Sequence, residues 1–273
     1  QSKPSGRLVF ALGSVGPNLD PGTARVAPVT IIYSALYDTC TRLNTHNGTV
    51  EPWLAESWRT VDNKTVEFKL RRGILFHNGR ELHAEDVKFT VERLLDPARN
   101  KGLTVTGTII TLDHVEVVDP HTFRVVAKEN NPIIPLLMSR VFIVPANEFK
   151  AAGDPAQFFS KPIGTGAFKF KAFQRDSHVE IVAAGNSWRK PKLAEIRFQA
   201  LKEDAARVAA LESGQVDLID GVPPDQLKRL QAAGFKVEWT TVAANYAFDL
   251  YGPAGTPHAN LEVRRAIAHA IDW

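Results

Sequence analysis

The hydrophobic residues of this chain follow two different periods, and together they require a fold with both sheets and helices. Residues 65–70, Thr-Val-Glu-Phe-Lys-Leu, alternate polar and apolar side chains, which is typical of a strand with one buried face. Residues 84–95 instead repeat apolar side chains at i, i+4, i+7 and i+8 from Val87, and Asp96-Pro97 ends the pattern. The sequence therefore predicts an antiparallel strand and, after it, an amphipathic helix.

The same two patterns recur along the whole chain without an internal repeat. Further strands are predicted at 7–12, 115–118, 122–126, 167–173, 179–183, 194–200 and 216–219. Further helices are predicted at 26–37, 131–138, 204–213, 223–232 and 261–271. Asp119-Pro120-His121 joins two of the strands and indicates a hairpin. This order predicts a mixed α/β chain with several antiparallel hairpins.

Composition and charge exclude several classes of protein. The 273 residues are 44% hydrophobic and 23% charged, which is too apolar for a disordered chain. The longest apolar runs, such as 133–138, fall well short of the roughly 20 residues of a membrane-spanning helix. The formal charge is only +3 and the basic residues are scattered, so we expect no nucleic-acid partner. The single Cys40 excludes an intramolecular disulfide.

A series of motifs in one order gives the chain a specific family resemblance. The motifs are Tyr37-Asp38-Thr39, 52–58 (Pro-Trp-Leu-Ala-Glu-Ser-Trp), 66–79 (Val-Glu-Phe-Lys-Leu-Arg-Arg-Gly-Ile-Leu-Phe-His-Asn-Gly), Glu85-Asp86-Val87, 162–166 (Pro-Ile-Gly-Thr-Gly), 210–217 (Ala-Leu-Glu-Ser-Gly-Gln-Val-Asp) and 263–267 (Val-Arg-Arg-Ala-Ile). From Leu8 to Asp272 the chain resembles the bacterial extracellular solute-binding proteins of family 5, the peptide, nickel and opine receptors of ATP-binding-cassette importers. His83 departs from the family, which usually has Thr there, and an imidazole caps a helix less well than a hydroxyl.

The resemblance implies an α/β fold of the periplasmic-binding-protein-like II type, in which a mixed-sheet lobe carries an inserted antiparallel α+β subdomain. By this analogy, residues 1–33 and 165–245 form the core subdomain, residues 34–164 the insertion, and residues 246–273 the crossover into a second lobe. Family members carry that second lobe after this point. We therefore expect the chain to be the N-terminal portion of a longer receptor, exported to the periplasm with its signal peptide removed.

The function implied by the resemblance is capture of a small solute, a dipeptide or oligopeptide, and its delivery to a transmembrane permease. We expect no enzymatic activity and no cofactor, and opines, sugars and metal chelates stay open as ligands. The alternative function is a solute-dependent signalling or chaperone-like module on the same fold. We also expect the chain alone to bind its ligand weakly or not at all, because a cleft ligand gains contacts from both lobes. The exposed lobe interface should also make the chain self-associate.

Two stretches near the start of the chain are candidate ligand contacts. Ser14, Val15 and Gly16 match the family's cleft-lining stretch after the first strand, where small residues let a ligand backbone pair like an added strand. An ordinary exit from the strand is the alternative. Tyr37 and Asp38 match the family's Tyr-Asp between subdomains. Tyr could stack on a ligand and Asp could hold an amine, or both could be structural residues.

Ser139 and Arg140 are the remaining candidate ligand contacts. They follow the short predicted helix at 131–138, where nickel receptors of the family place an arginine that faces the cleft. A guanidinium there would pair bidentately with a ligand carboxylate. A solvated surface arginine is the alternative.

Side chains of metal-ligand type do not predict a metal site. His77, His83, Glu85 and Asp86 lie close in sequence, but between them the chain passes from a strand through Asn78-Gly79 into a helix. These side chains therefore do not lie on one face of a helix or strand, and we expect them to have structural roles and to bind no metal ion.

Overall fold

The computed structural model describes residues 3–23, 27–98, 103, 105–238 and 255–270, which divide into two compact units, Gln1–Pro224 and Asp225–Trp273. The strands are β1 (Arg7–Leu12), β2 (Thr41–Leu43), β3 (Val50–Pro52), β4 (Ala55–Thr60), β5 (Thr65–Leu70), β6 (Leu112–Asp119), β7 (Thr122–Ala127), β8 (Phe168–Gln174), β9 (His178–Ala183), β10 (Glu195–Ala200) and β11 (Leu218–Ile219). The helices are α1 (Ala27–Leu36), α2 (Ala84–Leu95), α3 (Thr106–Ile109), α4 (Ile134–Met138), α5 (Ala146–Ala152), α6 (Pro155–Ser160), α7 (Asp204–Glu212), α8 (Pro224–Ala232) and α9 (Leu261–His269), with a 3-10 turn at Pro257–Ala259.

A five-stranded mixed sheet forms one layer of the larger unit, with strand order β11-β1-β10-β9-β8. β1 runs parallel to both β10 and β11, and the other pairs are antiparallel. The carboxyl ends of the three parallel strands therefore meet at one edge of the sheet. In open α/β sheets this is the edge where ligands bind.

A four-stranded antiparallel sheet of order β4-β5-β7-β6 forms the second layer. The alternation predicted for 65–70 is confirmed, since Val66, Phe68 and Leu70 are all buried. β6 and β7 form the predicted hairpin, in which Asp119 pairs with Thr122. A two-stranded ribbon of β2 and β3 completes the strands.

Helix α2 begins at Ala84 and ends at Leu95, as its periodicity predicts. His83 occupies the N-cap position but makes no side-chain capping bond, in agreement with the weak cap expected from its sequence. The Asp86 carboxylate instead accepts a hydrogen bond from the His83 backbone N–H at 3.0 Å, and Arg80 pairs with Asp86 at 2.7 Å. An acidic side chain in the first turn thus stabilises the start of the helix.

Two clusters of buried apolar side chains form the core. One cluster lies on the four-stranded sheet and includes Phe68 and Val87. The other lies on the five-stranded sheet, where Phe89 and Phe158 join Phe198. Because α2 supplies Val87 to the first cluster and Phe89 to the second, one helix contributes to both cores.

A later segment of the chain returns to the end of α1. The chain leaves the helix at Leu36 and returns at Gly166, whose N–H donates to the Leu36 carbonyl at 3.0 Å. A Cβ on Gly166 would lie 2.2 Å from the Ala35 carbonyl oxygen, so only glycine fits there. The division into residues 1–33 with 165–245 and residues 34–164 stays a prediction.

In the smaller unit, the Asn260 side chain caps α9 by accepting from the Glu262 N–H at 2.9 Å. α9 ends at His269 and Ala270 is its C-cap, one residue short of the predicted end at 271, which lies outside the described residues. Residues 246–254 of the predicted crossover also lie outside them. No helix among the described residues has the length and apolar character needed to cross a membrane.

Candidate functional site

A cavity of about 480 Å³ lies where α1 ends. Its walls come mainly from α1 and the turn after it, from β2, from the β3–β4 turn, and from the segments that follow α4 and β9. The lining residues are Pro21, Thr30, Ser34, Tyr37, Asp38, Thr39, Arg42, Leu43, Thr45, Trp53, Val105, Ser139, Arg140, Phe142 and Arg189. The structure thus brings together two candidate pairs that lie far apart in sequence, Tyr37 with Asp38 and Ser139 with Arg140.

The Asp38 carboxylate is buried in the cavity wall and surrounded by donors. Oδ1 accepts from Trp53 Nε1 at 2.8 Å. Oδ2 accepts from Thr165 Oγ1 at 2.9 Å and from Trp188 Nε1 at 3.0 Å. Arg189 Nε lies 3.2 Å from Oδ1. The carboxylate thus accepts three hydrogen bonds and has the Arg189 cation beside it, although Arg189 Nε itself forms no hydrogen bond with any described residue. This leaves little capacity for a ligand amine.

Two guanidinium groups approach the Trp53 indole. The central carbon of Arg42 lies 4.4 Å from the ring centroid, and that of Arg189 lies 5.6 Å from it. Both are within the range of a cation–π contact. Trp188 meets Trp53 edge to face at 4.9 Å, and Glu51 pairs with Arg42 at 2.7 Å. The arginines and the indoles therefore fix one another in the cavity wall.

Arg189 is the more buried of these two arginines. Burial lowers the pKa of its guanidinium, the Asp38 carboxylate opposes that shift, and the Arg42 cation adds to it. Nη2 donates to the Ser34 carbonyl at 2.9 Å. The group is thus a cation that is held in place and only partly hydrated.

Ser139 and Arg140 lie directly after α4. The Ser139 hydroxyl donates to the Leu136 carbonyl at 2.7 Å, so it is used within the end of the helix. The Arg140 side chain is exposed, and among the described residues it has no side-chain hydrogen bond or ion pair. Its guanidinium donors therefore remain available to a ligand.

Tyr37 is almost completely buried, although it borders the cavity. Its hydroxyl donates to the Leu19 carbonyl at 2.8 Å, and burial raises the pKa of the phenol well above its ordinary value. The ring packs against Tyr33 and Phe142, with centroids 6.4 Å away in both cases. These contacts fix the turn that carries Asp38.

The charge of the lining is net positive, although Arg189 lies beside Asp38 and Arg42 pairs with Glu51, which is outside the lining. Arg42, Arg140 and Arg189 face one acidic side chain, Asp38, and that side chain is already engaged. A concave surface with such an excess of positive charge attracts anions. The geometry therefore suits a ligand that carries a carboxylate.

Ser14, Val15 and Gly16 lie elsewhere, at the carboxyl end of β1, and do not line this cavity. Val15 is buried in the core and Ser14 is exposed. The Gly16 N–H donates to Ser14 Oγ at 3.1 Å, and its φ of 81° lies in the left-handed region. The candidate residues thus fall into two groups, one in the cavity and one at the sheet edge.

The four side chains named in the sequence analysis, His77, His83, Glu85 and Asp86, do not converge on one point. His77 Nδ1 accepts from the Gly164 N–H at 3.2 Å. Asp86 is buried against Arg80, and Glu85 is exposed. His83 instead lies near Glu81 and His121, a grouping that the sequence did not predict.

Comparison with known proteins decides the family. Residues 49–273 match the model of the bacterial extracellular solute-binding proteins, family 5 Middle. The chain belongs to the family 5 solute-binding proteins. This confirms the resemblance predicted from the motifs.

Similar proteins of this family include peptide receptors and opine receptors. The di/tripeptide-binding protein 3 of Pseudomonas aeruginosa (strain UCBPP-PA14) is 31% identical over 245 residues, which cover 81% of this chain and 46% of that protein. MoaA of A. tumefaciens R10, solved with mannopinic acid, is 29% identical with a TM-score of 0.75 over 84% of this chain and 48% of MoaA. AgaA of the same strain, solved with agropinic acid, is 27% identical with a TM-score of 0.75 over 83% and 46%. The predicted periplasmic-binding-protein fold is confirmed, and this family 5 chain spans about half the length of these relatives.

Sequence reasoning missed two of the three cavity arginines. Arg42 lies on β2, shortly after the Tyr37-Asp38 motif, and that proximity was the one available signal. Arg189 lies in an irregular segment after β9, where no periodicity indicates which way a side chain points.

Proposed function

We propose that this family 5 protein is the substrate-binding component of an ATP-binding-cassette importer. It captures a small solute with a free carboxylate, of the dipeptide or oligopeptide class, in the periplasm. It delivers the solute to a transmembrane permease and catalyses no reaction itself.

The observation that carries the proposal is the arginine-rich lining of the cavity. Arg140 offers guanidinium donors that no described residue pairs with, while Arg42 and Arg189 add further positive charge beside the Trp53 indole. A guanidinium forms strong, charge-assisted hydrogen bonds with a carboxylate, and Arg140 can do so without breaking a bond of its own.

The names of the relatives support the same ligand chemistry. The relatives described above bind di- or tripeptides, mannopinic acid and agropinic acid, according to their names. A peptide has a terminal carboxylate, so each of these ligands is an acid. The common chemical group is the one that the lining of this cavity suits.

In this proposal the candidate residues have different roles. Arg140 contacts the ligand carboxylate, and Ser139 fixes the turn that presents it. Asp38 and Tyr37 are positioning residues, because their polar atoms are engaged within the protein. Ser14, Val15 and Gly16 would bind the ligand backbone at the carboxyl edge of the five-stranded sheet.

A pair of ligands that differ only at the carboxylate tests this proposal. Ala-Phe and its C-terminal amide would be titrated into the chain, with binding followed by saturation-transfer NMR at millimolar ligand. Losing a charge-assisted hydrogen bond costs about 1.5–3 kcal/mol, so the free acid should bind roughly tenfold or more tightly than the amide.

Two variants separate the cavity arginine from general surface charge. Arg140→Gln should remove the preference for the free acid. Arg175→Gln is the matched control, because Arg175 is a 72% exposed surface arginine that does not line the cavity. Its ion pair with Asp176, at 3.7 Å, is long and exposed, so losing it should have little effect. Equal binding of acid and amide, or a preference that persists in Arg140→Gln, would contradict the proposed contact. Absence of saturable binding of peptides, opines, sugars and metal chelates by the full-length receptor would contradict the proposed function.

A further inference from the structure

A second group of polar side chains lies outside the cavity, on the four-stranded sheet layer. Glu81, His83 and His121 each offer one ligand atom, and these atoms all lie within 4.8 Å of one another. None of the three residues lines the cavity. We infer that they form a binding site for a divalent transition-metal ion of the zinc type.

Both imidazoles direct Nε2 toward the same carboxylate. His121 Nε2 lies 3.2 Å from Glu81 Oε1, and His83 Nε2 lies 3.8 Å from Glu81 Oε2. With metal–ligand bonds of roughly 2.0–2.2 Å, two ligands of a tetrahedral zinc ion lie about 3.4 Å apart. Both separations therefore already approach those of a ligand set.

The backbone fixes the three segments that carry these ligands. The Ala84 N–H donates to the Pro120 carbonyl at 2.8 Å, which joins the residue after His83 to the residue before His121. The Leu82 N–H donates to the Ile74 carbonyl at 2.8 Å and orients the segment that carries Glu81. The ligand set is thus largely preorganised, which lowers the entropic cost of binding an ion.

The surroundings of the three side chains resemble those of a partly open metal site. The Gly73 N–H donates to Glu81 Oε1 at 2.6 Å and orients the carboxylate from behind, as a second-shell donor does. His121 is buried, while the His83 side chain is 40% exposed and can rotate to complete the set. Two imidazoles and one carboxylate are a common zinc ligand set, which leaves one coordination position for water.

The chemistry of the donors favours zinc and its neighbours over calcium or magnesium. Imidazole nitrogen suits Zn²⁺, Ni²⁺ and Cu²⁺, whereas Ca²⁺ and Mg²⁺ prefer oxygen ligands throughout. A bound ion would also join the segment before α2 to the β6–β7 hairpin. Binding should therefore raise the thermal midpoint of the chain, since a ligand specific to the folded state stabilises that state.

Calorimetric titration of zinc sulfate into the chain, prepared without a polyhistidine tag, tests the site. One equivalent should bind, and Glu81→Gln and His83→Asn should each weaken binding at least about tenfold, as expected when one of three ligands is lost. His83 is exposed enough for its replacement to leave the fold intact, and circular dichroism would check both variants.

His114→Asn is the matched control. His114 lies 2.9 Å from Asp113 and 3.5 Å from Glu116, so it is a histidine with carboxylate neighbours that lies outside the proposed ligand set. Its replacement should leave zinc affinity unchanged within about twofold, because it contributes no ligand to the set.

Cobalt chloride gives a readout that ordinary ion pairing between Glu81 and the histidines cannot produce. A visible absorption band from tetrahedral Co²⁺ should appear in the parent chain and in His114→Asn, and it should be lost in His83→Asn. Absence of zinc binding, or zinc binding that is unchanged in both Glu81→Gln and His83→Asn, would overturn the assignment.

Discussion

Replacing Asp38 with Asn should destabilise the larger unit severely, although the two side chains have almost the same shape. One amide oxygen can still accept from Thr165 and Trp188, but these bonds lose the negative charge of their acceptor. The amide NH₂ then faces the Trp53 indole N–H, donor against donor. The Arg189 cation also loses its nearest counter-ion.

The magnitude follows from these contacts. An unsatisfied buried donor costs about 1–3 kcal/mol, and reducing two charged hydrogen bonds to neutral ones costs about 1–2 kcal/mol together. The Arg189 side chain is 24% exposed, so water compensates part of its loss and the ion pair adds only about 1 kcal/mol. The total, about 3–6 kcal/mol, is a large share of the roughly 5–15 kcal/mol that stabilises a typical domain.

Urea unfolding followed by tryptophan fluorescence measures this loss, because Trp53 and Trp188 both contact Asp38. Asp113→Asn is the control. Its side chain is 55% exposed and pairs with His114, so its replacement should cost less than about 1 kcal/mol. A loss below about 1 kcal/mol in Asp38→Asn would show that the carboxylate does not organise the cavity wall, and our reasoning would be refuted.

Two further predictions concern the segment where the chain returns to the five-stranded sheet. Gly166→Ala should destabilise the chain by more than about 2 kcal/mol in urea unfolding, because its Cβ would overlap the Ala35 carbonyl. Gly185→Ala, with open space around the new methyl group, should be neutral, and equal effects would contradict the steric argument. Burial lowers the pKa of His77 from 6.5 to about 4 in the folded chain. As the pH falls, His77 therefore becomes protonated in the unfolded chain at a higher pH than in the folded chain. As the pH falls from about 6.5 to 4, the free energy of unfolding should therefore decrease, and it should decrease less in His77→Gln. Denaturant titrations at several pH values measure this. An equal pH dependence of the unfolding free energy in the parent chain and in His77→Gln would refute the prediction.

The sequence predicted the elements that have a clear local periodicity, but it did not predict β2, β3, β4, α3, α5 or α6. The strand at 65–70 and the helix at 84–95 have the bounds that alternation and helical spacing give. The choice of Tyr37, Asp38, Ser139 and Arg140 as candidate contacts came from the family resemblance, and only the structure shows that the two pairs line one cavity.

The remaining features depend on tertiary contacts that no spacing records. The engagement of Asp38 arises from two indoles and a hydroxyl on three separate segments. Glu81 and His83 are sequence neighbours, but His121 reaches them only because the β6–β7 hairpin turns beside the start of α2. A site assembled in this way becomes visible only in three dimensions.

The helix that contributes to both cores has a mechanical consequence. Phe89 of α2 is buried with Phe198 of the five-stranded sheet, whereas Val87 of the same helix is buried with Phe68 of the four-stranded sheet. Tilting one sheet against the other would disrupt the packing of one of these two clusters. The two layers should therefore tumble as a single rigid body, and in residual dipolar coupling measurements one alignment tensor should fit the amides of both sheets.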